Sequence, residues 1–288
     1  MRITKLIVIF LLAISIVSCS LVKTAYNNAP EAMQWWLDDY FDFTESQNKK
    51  LKPALHALHD WHRQTQLPLY VEMLKKIQSH LTKAEIQSST VCESMKSMQD
   101  LMQNIQLETS STIVEIAPLL SDKQLSYFQK MLQKRTVKWK AEWLQETQEK
   151  RIEARLDKTI DYAETVYGGL NKTQKNMLKQ KLLASNYKPE VRYTEILRRN
   201  KDVLQIVTSL KQGNLDQEQK QTLLKQGFER LRNSPNLMYQ HYANQVKQSS
   251  CDMIADLHAT TDLKQKEHAK AWLENLITAF EWLALNKP

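Results

Sequence analysis

Apolar and polar positions along this chain follow a helical period almost from end to end, and one short phrase keeps restarting it. An apolar residue, a capping residue, two variable positions and then Gln or Glu occur as Phe43-Thr44-Glu45-Ser46-Gln47, Leu81-Thr82-Lys83-Ala84-Glu85, Leu120-Ser121-Asp122-Lys123-Gln124, Leu170-Asn171-Lys172-Thr173-Gln174 and Leu215-Asp216-Gln217-Glu218-Gln219, with a looser copy at Thr261-Asp262-Leu263-Lys264-Gln265. In such a capping box the cap oxygen takes an unpaired N–H of the first turn while the Gln or Glu reaches back, so each phrase predicts a helix start. In most copies apolar residues follow seven and eleven positions after the cap, as in Leu51/Leu55, Phe128/Leu132, Leu178/Leu182 and Ala269/Leu273. These share one helical face and point it at a core.

The pattern predicts helices at about 29–42, 45–64, 68–80, 83–116, 122–167, 172–186, 190–212, 217–232, 236–258 and 263–285. Pro68 and Pro235 fall where helices begin, Pro118 and Pro189 between helices, and Pro53 inside one, where it should kink the axis. Gly168-Gly169 and Gly213 mark breaks, whereas Gly227 reads as a small packing position within a helix. The 122–167 segment would be ~69 Å long. Its apolar stripe runs Leu125, Phe128, Leu132, Trp139, Trp143, lapses over 145–151, and resumes at Ile152, Leu156, Ile160, Ala163 and Tyr167. The expected fold is therefore an all-α, irregular multi-helix bundle in which one long helix, 122–167, connects an N-terminal lobe (29–121) to a C-terminal lobe (168–288). The intervals between caps are too uneven for a strict solenoid.

Composition narrows the function. Only 4 of the 288 residues are Gly, which argues against a dinucleotide-binding unit, a phosphate loop or an all-β fold, since tight turns and phosphate cradles need glycine. At 42% hydrophobic the chain can build a sizeable core. Basic and acidic residues are interspersed, so the formal net charge of +8 reads as a solvated surface, with no nucleic-acid partner expected.

Residues 1–18 carry Arg2, Lys5 and the apolar run Leu6–Val17, too short to span a bilayer and consistent with an export signal. Ile16-Val17-Ser18-Cys19 resembles a bacterial lipobox. That resemblance implies a signal peptide over 1–18, a covalent diacylglycerol and N-acyl lipid at Cys19, and an anchored linker over 19–28. Ser20 after the cysteine implies outer-membrane sorting. Beyond this lipid, no cofactor is expected. With Cys19 lipidated, Cys92 and Cys251 remain, and an oxidising compartment allows them one intramolecular disulfide; two buried thiols are the alternative. No CxxC spacing supports a redox or zinc role.

Four groups could carry chemistry. His56, His59 and His62 recur at three-residue spacing beside Asp60; neutral imidazoles bind zinc when they converge, but these fan across about 120° of helix, so interfacial histidines are the expected reading and no metal site is assigned. Asp38, Asp39, Asp42 and Glu45 could run acid–base chemistry only if buried apart, and otherwise suit a helix junction. Trp139, Trp143, Trp272 and Trp282 read as packing or as an aromatic surface. Arg151 and Arg155 belong to a charge run interleaved with Glu residues, and with Trp139 and Trp143 they form the expected interaction surface.

Tyr26-Asn27-Asn28, Trp36-Leu37-Asp38-Asp39-Tyr40, Phe43-Thr44 through Gln47, Trp61-His62-Arg63, Leu67-Pro68-Leu69-Tyr70 and the basic helix ahead of Gly169-Leu170-Asn171 through Gln174 together resemble a family of helical proteobacterial lipoproteins with a domain of unknown function. The likeness implies an envelope lipoprotein and supplies no catalytic residues. The recurring phrase also resembles the LTxxQ motif of periplasmic stress chaperones of the Spy and CpxP type, although only Leu81-Thr82 keeps its first two residues. These readings lead to a non-enzymatic, periplasm-facing binding, scaffold or chaperone-like module, anchored to the outer membrane by lipid, with an envelope protein as partner. The competing expectation is an envelope enzyme or metal-dependent hydrolase built on His56, His59, His62 and Asp60.

Overall fold

The computed structural model describes residues 21–286; the expected export signal and Cys19 lie outside them. Residues 21–27 are helical, followed by α1 (Ala29–Phe41), α2 (Glu45–Trp61), a π turn (His62–Gln66), α3 (Leu67–Leu81), α4 (Ser88–Glu108), α5 (Ser110–Ile116), a 3-10 turn (Ala117–Leu119), α6 (Asp122–Trp143), α7 (Gln148–Tyr167), α8 (Lys172–Ala184), α9 (Pro189–Lys211), α10 (Gln217–Arg232), α11 (Leu237–Ala259) and α12 (Leu263–Leu285). The all-α multi-helix fold is thus the observed one, and no strand occurs among the described residues.

Local chemistry explains most boundaries and the departures from expectation. Complete capping boxes start α2 (Thr44/Gln47), α6 (Ser121/Gln124), α8 (Asn171/Gln174), α10 (Asp216/Gln219) and α12 (Asp262/Gln265). The box expected at Thr82 does not form: Thr82 caps the end of α3, its hydroxyl donating to Ser79 O at 3.0 Å. The following loop is held instead by distant residues, with His258 Nε2 on Lys83 O (3.0 Å) and Lys266 on Ala84 O (3.2 Å). At Pro68, which can offer no N–H, the helix does not break as expected. It widens into the π turn, where Leu67 N–H bonds His62 O, and α2 runs on into α3. Gly168, at φ 76°, ends α7 in a conformation that L side chains rarely adopt, and Gly227 is buried against Ile206.

The expected single helix over 122–167 is two helices. The chain leaves the helix after Trp143 and restarts where the Thr147 hydroxyl accepts Lys150 N–H (3.3 Å). This break coincides with the lapse in the apolar stripe, where no buried face rewards a continuous helix.

Nor do the lobes follow chain order. Helices α1, α2, α5, α6, α9 and α10 pack together around Tyr40, Leu51, Leu55, Phe128, Met131, Val207, Leu210 and Leu224. Helices α3, α4, α7, α8, α11 and α12 form a second lobe around Leu74, Leu81, Tyr167, Leu178, Leu257, Leu273 and Ile277. Residues 29–121 and 168–288 therefore do not correspond to the lobes; each lobe draws helices from both halves, and the chain passes between lobes at the π turn, Thr109, 144–147, 185–188 and 233–236.

Each lobe contains one reciprocal glutamine pair joining two capping boxes. In the first, Gln47 and Gln124 exchange side-chain amide bonds (3.1 and 2.8 Å), and their Nε2 groups also donate to Leu119 O and Asp42 O. In the second, Gln174 and Gln265 do the same (2.9 and 3.0 Å), donating to Thr260 O and Gly169 O. In all four cases the accepting carbonyl lies two residues before the partner's cap. The side chains that start the helices thus also set the spacing between them.

Candidate functional site

The break between α6 and α7 opens a cleft of about 220 Å³ lined by Trp143, Arg151, Ile152, Arg155, Leu182, Ser185, Tyr187, Lys188 and Glu190, among others. It lies where two crossings between the lobes meet, 144–147 and 185–188. Arg151 Nε donates to Gln145 O and holds the broken turn, while its NH1 pairs with Glu190 at the start of α9. Arg155, one turn further along α7, reaches neutral acceptors: Ser185 Oγ at 3.0 Å and Leu182 O at 3.4 Å. Its guanidinium carbon lies 4.4 Å from the centroid of the Tyr187 ring.

Electrostatically the two arginines differ. No carboxylate among the described residues forms an ion pair with Arg155. Burial pushes it below the ordinary arginine value, opposed by Tyr187 and Tyr242, and it remains a cation. Burial also raises Tyr187 and Tyr242, so both phenols keep their protons. The Tyr242 hydroxyl donates to Lys188 O and accepts from Lys188 N–H (both 3.0 Å), fixing the cleft rim. A partly desolvated, planar cation bonded only to neutral groups attracts an anion of matching shape. Behind the cleft, Tyr193, Trp139 and Trp143 stack in a row (6.1 and 6.5 Å between centroids), and Lys158, paired with Glu142, lies over Trp143 at 4.5 Å.

Of the expected interaction surface, Trp143, Arg151 and Arg155 line the cleft, and Trp139 supports it from behind. The pattern did not reveal Ser185, Tyr187 and Tyr242, because no periodicity links residues 30 to 90 positions away to Arg155. The histidines do not converge. His56 faces Glu31 at 3.5 Å, His59 packs on the Tyr26 ring (4.6 Å between centroids), and His62 Nδ1 lies 2.8 Å from the Tyr26 hydroxyl. Among the described residues no group of three His, Cys, Asp or Glu could hold a metal ion. The acidic cluster serves structure: Asp38 accepts Phe43 N–H at 3.0 Å, Asp39 faces Arg135 at 3.8 Å, and Glu45 pairs with Lys49. Cys92 on α4 and Cys251 on α11 form a disulfide, with Cα atoms 5.5 Å apart. Trp272 packs against the second core, and Lys23 lies over Trp282.

The expected linker over 19–28 differs from what its described part does. Tyr26 and Asn27 dock on the buried Arg63, whose NH2 donates to Asn27 Oδ1 (2.7 Å) while NH1 donates to Leu283 O and Asn286 O (2.9 and 2.8 Å). Its guanidinium also lies 5.0 Å from the Tyr26 ring centroid.

A family model described as "Family of unknown function (DUF6279)" matches residues 39–231, a span that includes every cleft residue named above except Tyr242. No curated protein and no solved structure matches the chain.

Proposed function

We propose, for a chain that belongs to the DUF6279 family of unknown function, that it is a non-enzymatic binding module of the cell envelope, anchored through lipid on Cys19 and facing the periplasm from the outer membrane. Its contact site is the cleft, where Arg155 takes a carboxylate or phosphate group presented by an envelope protein. The observation that carries the reading is Arg155 itself, a half-buried cation beside open space with neutral partners alone. The Cys92–Cys251 disulfide supports an oxidising compartment, and the Ile16–Cys19 phrase supports the anchor. The hydrolase alternative lacks a convergent set of ligands or bases at His56, His59, His62 and Asp60.

The test is site-specific photocrosslinking in intact cells from position 188 on the cleft rim. A discrete adduct is expected, and Arg155→Gln should reduce it by about tenfold or more, since a charge-assisted pair contributes on the order of 1.5–3 kcal/mol. An adduct unchanged by Arg155→Gln would reject the cleft as the contact site. In the same cells Cys19→Ala should abolish lipid attachment, read by mass spectrometry of the N-terminal peptide. An unlipidated wild-type N-terminus would reject the anchor.

A further inference from the structure

The end of α12 and the helical segment at 21–27 together present a surface that the cleft does not use. Leu21 and Leu285 are 64% and 85% exposed, and Trp282, one turn before Leu285, is 40% exposed. Lys23 Nζ lies 4.2 Å from the Trp282 ring centroid, so one patch combines a leucine, an indole and an ammonium, with exposed Leu21 on the same N-terminal segment as Lys23. Trp and Lys suit the boundary between headgroups and acyl chains, where an amphipathic ring and a snorkelling cation are each satisfied.

We infer that this patch lies against the phospholipid surface that receives the Cys19 lipid, seating the protein on the membrane in a fixed orientation. The inference rests on the anchor proposed above. Two features of the chain identify the occupant. Cys19 precedes Leu21 by two residues, which span at most ~7 Å when fully extended, so acyl chains on Cys19 enter the bilayer beside Leu21. The patch is also fixed to the body: Arg63 ties Asn27 to Leu283 O and Asn286 O, so the two halves of the patch move together. Lys23 supplies the charge that anionic headgroups attract.

Leu263, 82% exposed at the opposite end of α12, lies ~33 Å from Leu285 along the helix and serves as an internal control. The mature lipidated protein, as Leu285→Cys or Leu263→Cys carrying an environment-sensitive fluorophore, is reconstituted into vesicles of phosphatidylethanolamine and phosphatidylglycerol with brominated acyl chains. The label at 285 should lose most of its emission to the lipid-borne quencher, and the label at 263 should keep it. Equal quenching at both positions, or none at 285, overturns the inference. Mass spectrometry of Cys19 judges the anchor separately. If no lipid is found there, the labelled proteins are mixed with the same vesicles, and the same difference between 285 and 263 decides the patch alone.

Discussion

At Arg63 a single guanidinium joins three parts of the chain that are far apart in sequence: Asn27, the π turn and the last carbonyls of α12. The neighbouring His62 makes this junction sensitive to pH. Burial, with His59 adding to it, pushes His62 down to about 4, while burial holds the Tyr26 hydroxyl up at about 12. Tyr26 therefore keeps its proton, and its hydroxyl shares a hydrogen bond with Nδ1 of the neutral His62 ring. The charged groups nearby are Arg63 and Asp60, with Tyr70 across the turn. Between the ordinary histidine value of 6.5 and about 4, the unfolded chain binds a proton that the folded chain refuses. The stabilisation is complete above that window and is lost as pH falls through it. Chemical denaturation should thus show stability falling from pH 7 to pH 4.5, with a shallower decline in His62→Gln; identical slopes would remove His62 from the account. The spacing of His56, His59 and His62 was visible in the chain, but what fixes the roles of His59 and His62 is Tyr26, more than 30 residues upstream and outside any local pattern.

Among the helices, the capping boxes divide into those that pair and one that does not. Gln174 is buried and bonds Gln265 and Thr260 O as well as its own cap, whereas Gln219 is exposed and bonds only its own cap. Gln174→Ala should cost about 2–3 kcal/mol, because it strands buried partners, and Gln219→Ala about 1 kcal/mol or less. Equilibrium unfolding in urea distinguishes them, and equal losses would show that the glutamine pairs do not join the helices. Helix starts were legible wherever a cap and its Gln coincided with an apolar face. Thr82 had both a cap and Glu85, yet distant His258 and Lys266 captured the carbonyls of its loop. The Leu144–Thr147 break had only a lapse in the stripe to signal it, which also suits an exposed helix. The cleft was half legible for the same reason: Arg151 and Arg155 stand on one helix, but the residues that surround them come from α8, α9 and α11 and the joins between them.

For the molecule as a whole, periodicity shows which face of each helix is buried without showing which helix covers it, so the lobes could not be read from chain order. The Cys92–Cys251 disulfide joins two helices of the second lobe and closes a loop spanning 159 residues that passes through the first. A loop of that length stabilises by up to about 5 kcal/mol through restriction of the unfolded chain. Reduction, or Cys92→Ser with Cys251→Ser, should lower the urea midpoint clearly while leaving helical circular dichroism intact in water; an unchanged midpoint would show that the bond constrains nothing the fold does not already hold. The five crossings between lobes also govern the order in which this protein can become itself. A chain emerging N-terminus first cannot finish the first lobe until α10 has appeared, nor the second until α12 has. The early helices must therefore wait with part of their apolar faces uncovered, and contacts so distant in sequence form slowly. Truncation anywhere before α12 leaves α3 without its main covering helix, so a chain cut there cannot complete the second lobe.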